Sequence, residues 1–293
     1  MRAPIAQTLE NIDIGMVGIP YDGALTNRPG ARHGPREVRN QSSLMRAINH
    51  VTRINPYDLC RIADVGDVPF HSVFDIERTH KDISDFIGVM VSAGVMPLSC
   101  GGDHSVSLPI MREVATQPMA LIHIDAHTDT WDSFQGSKFN HGAPFRRAHE
   151  EGLIDATKTV QIGIRGAQNF SDGWDYSKAA GMRVIFVEEV QKHGVDAIIE
   201  ETRNIVGNTP VYMSFDIDSI DPAFAPGTGT PEIAGLTTPE AMALIRGFRN
   251  LNYVGADVVE VSPPFDVGGL TSLTGATVMY ELLCLLAEAV SAR

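Results

Sequence analysis

The stretch "ALIHIDAHTDTWD", residues 120–132, starts as a core strand and ends in polar side chains. Leu121 and Ile122 belong to an apolar run, whereas Asp125, His127 and Asp129 follow at alternate positions. Residues two apart in an extended chain point to the same side. We therefore expect the three polar side chains to converge at the end of the strand and in the turn beyond it. Two carboxylates and an imidazole at a buried strand end indicate a functional site.

Two more stretches have the same form. In "VYMSFDIDSIDP", residues 211–222, a strand delivers Asp216 and Asp218 to one side. In "LSCGGDHSVSLP", residues 98–109, a strand runs through two glycines to Asp103 and His104 at a predicted helix start. The carboxyl ends of parallel strands lie along one edge of a sheet, so the three clusters are expected to meet there.

Strands and helices alternate along the chain. The predicted strands are Ile14–Ile19, Ile62–Val65, Val95–Ser99, Ala120–Asp125, Val160–Ile164, Val184–Val187, Val211–Phe215 and Val254–Val261. Helical periodicity marks Ile76–Val91, Val195–Ile205, Pro239–Phe248 and Gly275–Ala289. The alternation predicts an α/β fold with a mainly parallel sheet covered on both faces. About eight strands suit an open sheet or a closed barrel, and no linker divides residues 1–293, so we predict one domain.

Composition narrows the classes of partner. The chain has 293 residues, 43% of them hydrophobic, and a net charge of −13, which argues against a nucleic-acid or anionic-membrane partner. Its three cysteines are far apart in sequence and lie among apolar residues, which is typical of reduced thiols in a cytoplasmic protein. The longest apolar tract, Val278–Val290, is interrupted by two glutamates and is short for a membrane span.

Four aspartates gathered at one dry site require cations. Buried carboxylates repel one another unless they are protonated or neutralised. Two divalent ions would balance the four charges, with histidines as neutral ligands, and a mixed Asp/His shell suits Mn²⁺, with Ni²⁺, Co²⁺ or Zn²⁺ also chemically suitable. Two such ions side by side can activate one bridging water. Not every polar residue nearby belongs to the site, because Asp103 fits a helix cap, Asp221 a turn and His123 a packing role.

The motifs "GGDHSVSLP", "IDAHTDT" and "SFDIDSIDPAFAPGTGTPE" resemble the three signatures of the ureohydrolases, the arginase and agmatinase family. The resemblance extends over nearly the whole chain, from "GIPYDGALTNRPGARHGPREVR" to "EVSPPFD". It implies a three-layer α/β/α fold around an eight-stranded parallel sheet, two Mn²⁺ ions, hydrolysis of a guanidinium to urea and an amine, and a trimeric or hexameric homo-oligomer. The implied ligands are His104, Asp125, Asp129 and Asp216 for the first metal, and His127, Asp125, Asp216 and Asp218 for the second.

Two further residues match roles that the reaction needs. A guanidinium is a poor electrophile, and the leaving amine must gain a proton, for which a histidine is suited. His141, in "KFNHGAPFRRA", matches the family's proton-relay histidine. A carboxylate can accept two parallel hydrogen bonds from the planar cation. Glu260, in "ADVVEVSPP" at the end of the last strand, matches the family's guanidinium-binding glutamate.

The substrate tail is the least determined feature. The loop "TWDSFQGSKFNHG" differs from the arginase loop, and "HGAPFRRA" resembles the agmatinase branch, so L-arginine is disfavoured. Asp132 would receive the ammonium of agmatine, whereas Lys138, Asn140 or Arg146 would receive the carboxylate of guanidinobutyrate or guanidinopropionate. Trp131 and Phe139 would contact the alkyl chain. The acidic net charge slightly favours agmatine. The alternatives are a non-catalytic metal-binding subunit of a heteromeric ureohydrolase and another dinuclear hydrolase, such as a phosphatase.

Overall fold

The computed structural model describes residue 1, residues 3–168 and residues 172–293. Eight parallel strands form one open sheet in the order β2-β1-β3-β8-β7-β4-β5-β6, which confirms the open sheet and excludes the barrel. The strands are β1 (Ile14–Ile19), β2 (Ile62–Asp67), β3 (Met96–Gly101), β4 (Met119–Ile124), β5 (Ile154–Ile164), β6 (Arg183–Phe186), β7 (Val211–Asp216) and β8 (Tyr253–Val259).

Helices cover both faces of the sheet and make three layers. In chain order they are α1 (Gly34–Gln41), α2 (Pro56–Leu59), α3 (Ile76–Ser92), α4 (Ser107–Val114), α5 (Pro144–Glu150), α6 (Asp172–Ala180), α7 (Val187–His193), α8 (Val195–Val206), α9 (Thr238–Gly247) and α10 (Leu270–Ser291). Residues of α1 and α7–α10 share one apolar cluster with the sheet, whereas those of α3, α4 and α5 share the other.

The central strands are buried on both faces, and their sequences reflect that environment. Every residue of β1, β3, β4 and β7 is buried, and apolar side chains occupy consecutive positions in these strands instead of alternating ones. This is the pattern that a parallel sheet between two helical layers requires. The hydrophobic clusters on the two faces thus fix the sheet in the middle of the fold.

The C-terminal helix is longer than the sequence pattern indicated. It spans Leu270–Ser291, 22 residues, and is long and apolar enough to cross a membrane by length and composition alone. However, 78% of its most apolar stretch is buried inside the fold, where it packs on β8 and α1. We therefore describe α10 as a core helix.

Several predicted boundaries shift where strands pass into turns. β5 begins at Ile154, six residues before the predicted start, and Val187 begins α7 instead of ending β6. β8 ends at Val259, so Glu260 lies just beyond the strand with a left-handed φ of 65°. β7 ends at Asp216, and a short 3-10 turn over Ile217–Ser219 carries Asp218. The polar residues thus follow the strands more often than they end them.

The sheet order brings the three motif strands together. β3, β8, β7 and β4 are consecutive neighbours at the centre of the sheet. Because they are parallel, their carboxyl ends form one edge, where His104, Asp125, Asp216 and Glu260 emerge. The loop after β1 closes over this edge, since Gly102 N donates to Ile19 O at 3.0 Å and Asp103 N donates to Tyr21 O at 2.9 Å.

We predict that Gly102→Ala destabilises the fold. A Cβ at Gly102 would lie 1.6 Å from the backbone oxygen of Tyr21, which cannot move without breaking this junction. Overpacking typically costs about 1–3 kcal/mol, so the midpoint of chemical unfolding should fall clearly.

Gly88→Ala is the matched control for that measurement. Gly88 lies inside α3, and its Cβ would meet only the carboxylate end of Glu113, which is flexible. Replacing a helical glycine by alanine gains up to ~1 kcal/mol, so this variant should be as stable as the parent or more so. A Gly102→Ala variant with unchanged stability would contradict the tight junction between the β1 loop and β3.

Candidate active site

The predicted ligands lie together at the edge formed by β3, β4 and β7. His104, Asp125 and Asp218 are at most 1% exposed, and Asp129 and Asp216 are buried as well. Asp129 adopts a left-handed φ of 50°, which turns its side chain back towards the strand end. The structure therefore brings the three motifs together, although Asp129 joins through a turn and not by strand alternation.

A first group of ligand atoms surrounds His104. Its Nδ1 lies 3.1 Å from Asp125 Oδ2, 2.9 Å from Asp129 Oδ2 and 3.2 Å from Asp216 Oδ2. These are the four residues expected for the first metal. Three carboxylate oxygens, two from the segment after β4 and one from the end of β7, thus surround one imidazole nitrogen and form a cage. Asp125 and Asp129 also lie close to His104 together with His123.

A second group lies beside the first and shares Asp125. His127 Nδ1 is 3.1 Å from Asp218 Oδ2 and 3.5 Å from Asp125 Oδ1. Asp125 therefore presents one oxygen to each group, as expected of a bridging ligand. Asp216 directs Oδ2 to the first group, while its Oδ1 accepts a hydrogen bond from Asp218 N at 2.8 Å. The bridging role of Asp216 remains a prediction.

Buried hydrogen bonds determine which nitrogen of His104 faces the cage. Ser214 Oγ donates to Asp257 Oδ1 at 2.6 Å, so its oxygen is left to accept from His104 Nε2 at 2.8 Å. Asp257 is held in turn by the hydroxyls of Ser107 and Tyr212, each 2.6 Å from Oδ2. His104 Nδ1 then carries a lone pair. It is buried without a hydrogen-bond donor and faces three carboxylate oxygens, an arrangement that a cation completes.

The electrostatics of the aspartates agree with cation binding. Burial, together with the negative charges of Asp218 and Asp125, raises the pKa of Asp216 well above its usual value. Burial and Asp125 also raise the pKa of Asp218. For His104, burial opposes the charged form, but the neighbouring carboxylates of Asp125, Asp129 and Asp216 outweigh it and raise the pKa of His104. The donor set fits divalent metals of the kind that accept imidazole and carboxylate ligands.

His123 has a role that the sequence analysis missed. It is fully buried and packs against Phe145, with ring centroids 4.3 Å apart, as a packing residue would. It also contacts Asp125, because Gln161 Nε2 donates to His123 Nδ1 at 3.1 Å and leaves Nε2 to donate to Asp125 Oδ2 at 2.6 Å. His123 therefore orients a predicted bridging ligand.

His141 and Glu260 form a pair next to the first group. His141 Nδ1 lies 2.9 Å from Glu260 Oε1, which also accepts the backbone N–H of His104 at 2.9 Å. Glu260 Oε2 is buried without a partner. Burial opposes charging of His141, but the negative charge of Glu260 raises its pKa overall. A carboxylate with a free buried oxygen beside a cage of ligands fits the capture of a cation such as a guanidinium.

The two aspartates interpreted as structural are confirmed in those roles. Asp103 caps the turn that begins at His104, since its Oδ1 accepts from Ser105 N at 3.0 Å, and its Oδ2 accepts from Ala24 N at 2.9 Å. Burial and the charge of Glu260 raise the pKa of Asp103 to about 7. Asp221 accepts the backbone N–H groups of Ala223 at 2.8 Å and Gly235 at 3.0 Å, as a turn residue does.

The predicted tail contacts lie on the loop between Asp129 and His141. Asp132 is half-exposed and pairs with Arg146 at 3.4 Å and Arg147 at 3.2 Å. The amide of Asn140 is engaged within the loop, with Nδ2 donating to Ser137 O at 3.1 Å and Oδ1 accepting from Gly142 N at 3.0 Å.

The aromatic residues of this loop differ in their surroundings. Trp131 stacks near Phe134, with centroids 6.1 Å apart, and its Nε1 donates to Gln168 at 3.4 Å. Phe139 and Asn140 line a cavity of about 510 Å³ together with Tyr21, Leu25 and Phe134. Trp131, the predicted metal ligands, His141 and Glu260 are not among the residues that line this cavity.

Comparison with known proteins identifies the family of this chain. The family described as the arginase family matches residues 12–285. The chain belongs to the arginase family. A guanidinopropionase of Pseudomonas aeruginosa is 54% identical over 98% of this chain and 91% of its own length. A mitochondrial agmatinase of Gallus gallus is 45% identical over 98% of this chain and 84% of its own. The solved structure of a proclavaminate amidinohydrolase from Streptomyces clavuligerus has a TM-score of 0.94 and 40% identity, covering 98% of this chain and 96% of that one.

Membership settles the class of reaction and the fold. This arginase-family member is a hydrolase that acts on the C–N bonds of guanidino compounds, in the agmatinase-like branch. Its sheet has the three-layer α/β/α architecture that the resemblance implied. The phosphatase alternative is therefore excluded.

We predict that Ser214→Ala weakens metal binding at the first group more than at the second. The variant removes the acceptor of His104 Nε2–H, so the imidazole is free to turn or to change tautomer. Loss of such an outer-shell partner typically costs about 10–100-fold in metal affinity. Competition titrations with a chromophoric chelator should show one weakened and one unchanged site.

Ser84→Ala is the control for this titration. Ser84 Oγ donates to the backbone oxygen of Pro109 at 3.2 Å and does not contact the ligand groups. Its metal affinities should equal those of the parent. If Ser214→Ala leaves both affinities unchanged, the Asp257–Ser214–His104 chain does not control the ligand.

Proposed function

We propose that this ureohydrolase acts on a short guanidino acid, such as guanidinopropionate or guanidinobutyrate, and releases urea and the corresponding amino acid. The observation that carries the proposal is the pairing of Asp132 with Arg146 and Arg147. Asp132 is the only acidic residue between Asp129 and His141, and it is paired with two arginines, which also pair with Glu150. Lys138 is the only basic residue of that segment; among the described residues it forms no close salt bridge, and its charge acts on Asp132 at longer range.

The loop therefore offers positive charge to a substrate tail. A carboxylate tail would be attracted to Lys138, whereas the ammonium of agmatine would be repelled. The 54% identity to a guanidinopropionase supports the same choice. The net charge that favoured agmatine is summed over the whole chain, whereas the charge that a substrate tail meets is that of the loop.

The guanidinium end would be held by Glu260. Its unpartnered Oε2 would accept N–H donors of the cation, while Oε1 stays bonded to His141 and to the backbone of His104. Two divalent ions held by His104, His127 and the four aspartates would lower the pKa of water and make hydroxide available near neutral pH. The scissile carbon would then lie between these ligands and Glu260, so that attack occurs from one fixed side.

His141 would supply the proton that the leaving amine needs. Its ring is fixed by Glu260 at Nδ1, which leaves Nε2 as the nitrogen that can exchange a proton. An intact His141–Glu260 pair also speaks against a non-catalytic metal-binding subunit. We further propose Mn²⁺ as the native metal, a homo-oligomeric trimer or hexamer and a cytoplasmic location.

Urea release from a small panel of substrates tests the proposal. The panel contains 3-guanidinopropionate, 4-guanidinobutyrate, agmatine and L-arginine, assayed after loading with Mn²⁺. We expect one of the two acids to have a kcat/KM at least about tenfold above that of agmatine, a difference of ~1.4 kcal/mol in transition-state binding. Lys138→Glu should reverse this order, whereas Lys192→Glu, on α7, should not change it.

Two results of the urea-release panel would contradict the proposal. A parent enzyme that prefers agmatine shows that the loop charge does not select the tail. A parent that releases no urea from any of the four compounds contradicts the proposed substrate class.

We also predict that Glu260→Gln lowers kcat/KM for the preferred substrate while both metals stay bound. The glutamine keeps the shape but loses the charge, and its NH₂ group is a donor facing a cation that has only donors. Truncation of buried charge pairs suggests a loss of roughly 2–5 kcal/mol in transition-state binding. Loss of a metal in the variant would place Glu260 in the metal shell instead, and near-normal kcat/KM would remove it from guanidinium recognition.

A further inference from the structure

The loop between β1 and α1 reaches into the site from outside the metal motifs. Ala24 N–H donates to the buried Asp103 Oδ2 at 2.9 Å, and Ala24 O accepts the backbone N–H of His141 at 3.1 Å. The base of the loop is held by Asp22, whose Oδ2 accepts from Gly30 N at 2.8 Å. These bonds fix the segment around residue 26 against the proton-relay histidine.

Thr26 contacts the nitrogen of His141 that Glu260 leaves free. The Thr26 hydroxyl oxygen lies 2.8 Å from His141 Nε2, and the Thr26 backbone N–H donates to the same nitrogen at 3.2 Å. The opposite nitrogen, Nδ1, lies 2.9 Å from Glu260 Oε1. Both nitrogens of the imidazole are therefore hydrogen-bonded. The two partners, Thr26 and Glu260, lie 115 and 119 positions from His141 in the sequence.

The two groups of Thr26 differ in what they can do. Glu260 Oε1 is an acceptor, so Nδ1 carries a proton, and Nε2 has a lone pair when the ring is neutral. The backbone N–H of Thr26 can only donate, which suits the neutral ring. The hydroxyl can donate to Nε2 in the neutral ring or accept from Nε2–H in the imidazolium. A hydroxyl at this place can serve both protonation states without movement of the ring.

We propose that Thr26 is a positioning residue for the proton relay, whose hydroxyl holds His141 Nε2 in both protonation states at the place from which the leaving amine is protonated. The inference rests on the proposed function, because it assigns no role to Thr26 if His141 relays no proton. When the ring is an imidazolium, Nε2–H first donates to Thr26 Oγ1 and then, as the amine approaches, donates to the amine nitrogen.

The transfer balances without any further reactant. The lone pair of the leaving nitrogen takes the proton from Nε2 as the C–N bond breaks, and the electron pair of the Nε2–H bond stays on the imidazole. The Thr26 hydroxyl then rotates and donates to Nε2, which satisfies the new lone pair. Glu260 remains bonded to Nδ1 throughout.

A simpler interpretation is that Thr26 only anchors the loop. Its backbone N–H would serve as an anchor with any side chain, and the bonds of Ala24 already tie the loop to Asp103 and His141. An anchoring role therefore requires no hydroxyl, whereas the proposed role does. This difference makes the two interpretations separable by substitution.

Thr26→Val removes the hydroxyl and keeps the β-branched shape, and Thr26→Ser keeps the hydroxyl and removes the methyl group. We expect Thr26→Val to lower kcat about tenfold with little change in KM, a smaller effect than the roughly 10²–10⁴-fold loss typical of removing a general acid–base group such as His141. Thr26→Ser should restore most of kcat. Metal content, measured by elemental analysis, should stay at the parent value in both variants.

Thr202→Val is the matched control. Thr202 is buried on α8, and its hydroxyl has no hydrogen-bond partner among the described residues. The control should have the parent's kcat and KM.

Three results would overturn the inference. The first is a Thr26→Val variant with parental kcat, and the second is a Thr26→Ser variant as slow as Thr26→Val. The third is a Thr26→Val variant whose only change is a lower metal content or a higher KM, either of which would indicate a merely structural role. Failure of the proposed function gives a different result, because the parent itself would then release no urea from the substrate panel.

Discussion

The interaction on which this structure depends is the mutual repulsion of four carboxylates at one dry edge of the sheet. Asp125, Asp129, Asp216 and Asp218 are all buried, and burial together with the negative charge of neighbouring aspartates raises the pKa of Asp216 and Asp218. An arrangement of this kind is unfavourable by itself, since burial of an unpaired carboxylate costs several kcal/mol or forces protonation. It persists because the rest of the fold holds the four side chains in place, and divalent cations are the partners that turn the repulsion into binding.

The sheet supplies the rigidity that this arrangement requires. β3, β8, β7 and β4 are neighbours with buried faces on both sides, so the strand ends cannot move independently. Around the predicted ligands, further polar residues form hydrogen bonds with the ligand atoms that face away from the cage. His123 bonds to Asp125, and Ser214 connects His104 to Asp257. Each of these residues is fully buried, so a polar atom without a hydrogen bond would cost free energy. The network therefore stays in the one arrangement in which these polar atoms are hydrogen-bonded.

The sequence was most informative where function depends on short local patterns. That the Asp and His residues after the strands meet at one edge follows from the common direction of parallel strands, and the family resemblance then named their roles. The strand period does not account for Asp129 and Asp218, which lie in turns beyond the strands. What could not be predicted are contacts between residues distant along the chain. Ser214 lies 110 positions from His104, and Thr26 lies 115 from His141, so no local pattern connects them. Asp132 was interpreted as a free carboxylate because α5, which carries Arg146 and Arg147, was not predicted as a neighbour of its loop.

The parts of the site that define the reaction and the parts that define the substrate lie on different elements of the fold. The ligands and Glu260 stand on or directly after central strands, where a shift of one side chain would disturb the whole edge. Residues 130–140, between Asp129 and His141, and the loop around Thr26 include no predicted metal ligand, so a change of side-chain charge in these loops removes no ligand from the cage. Charge on these loops can therefore change the preferred tail while the hydrolysis of the guanidinium remains the same. Asp132 is a weak attractor for an ammonium ion, because Arg146 and Arg147 pair with both Asp132 and Glu150 and these four charges sum to zero. The charge that remains on the loop is that of Lys138, and it is positive.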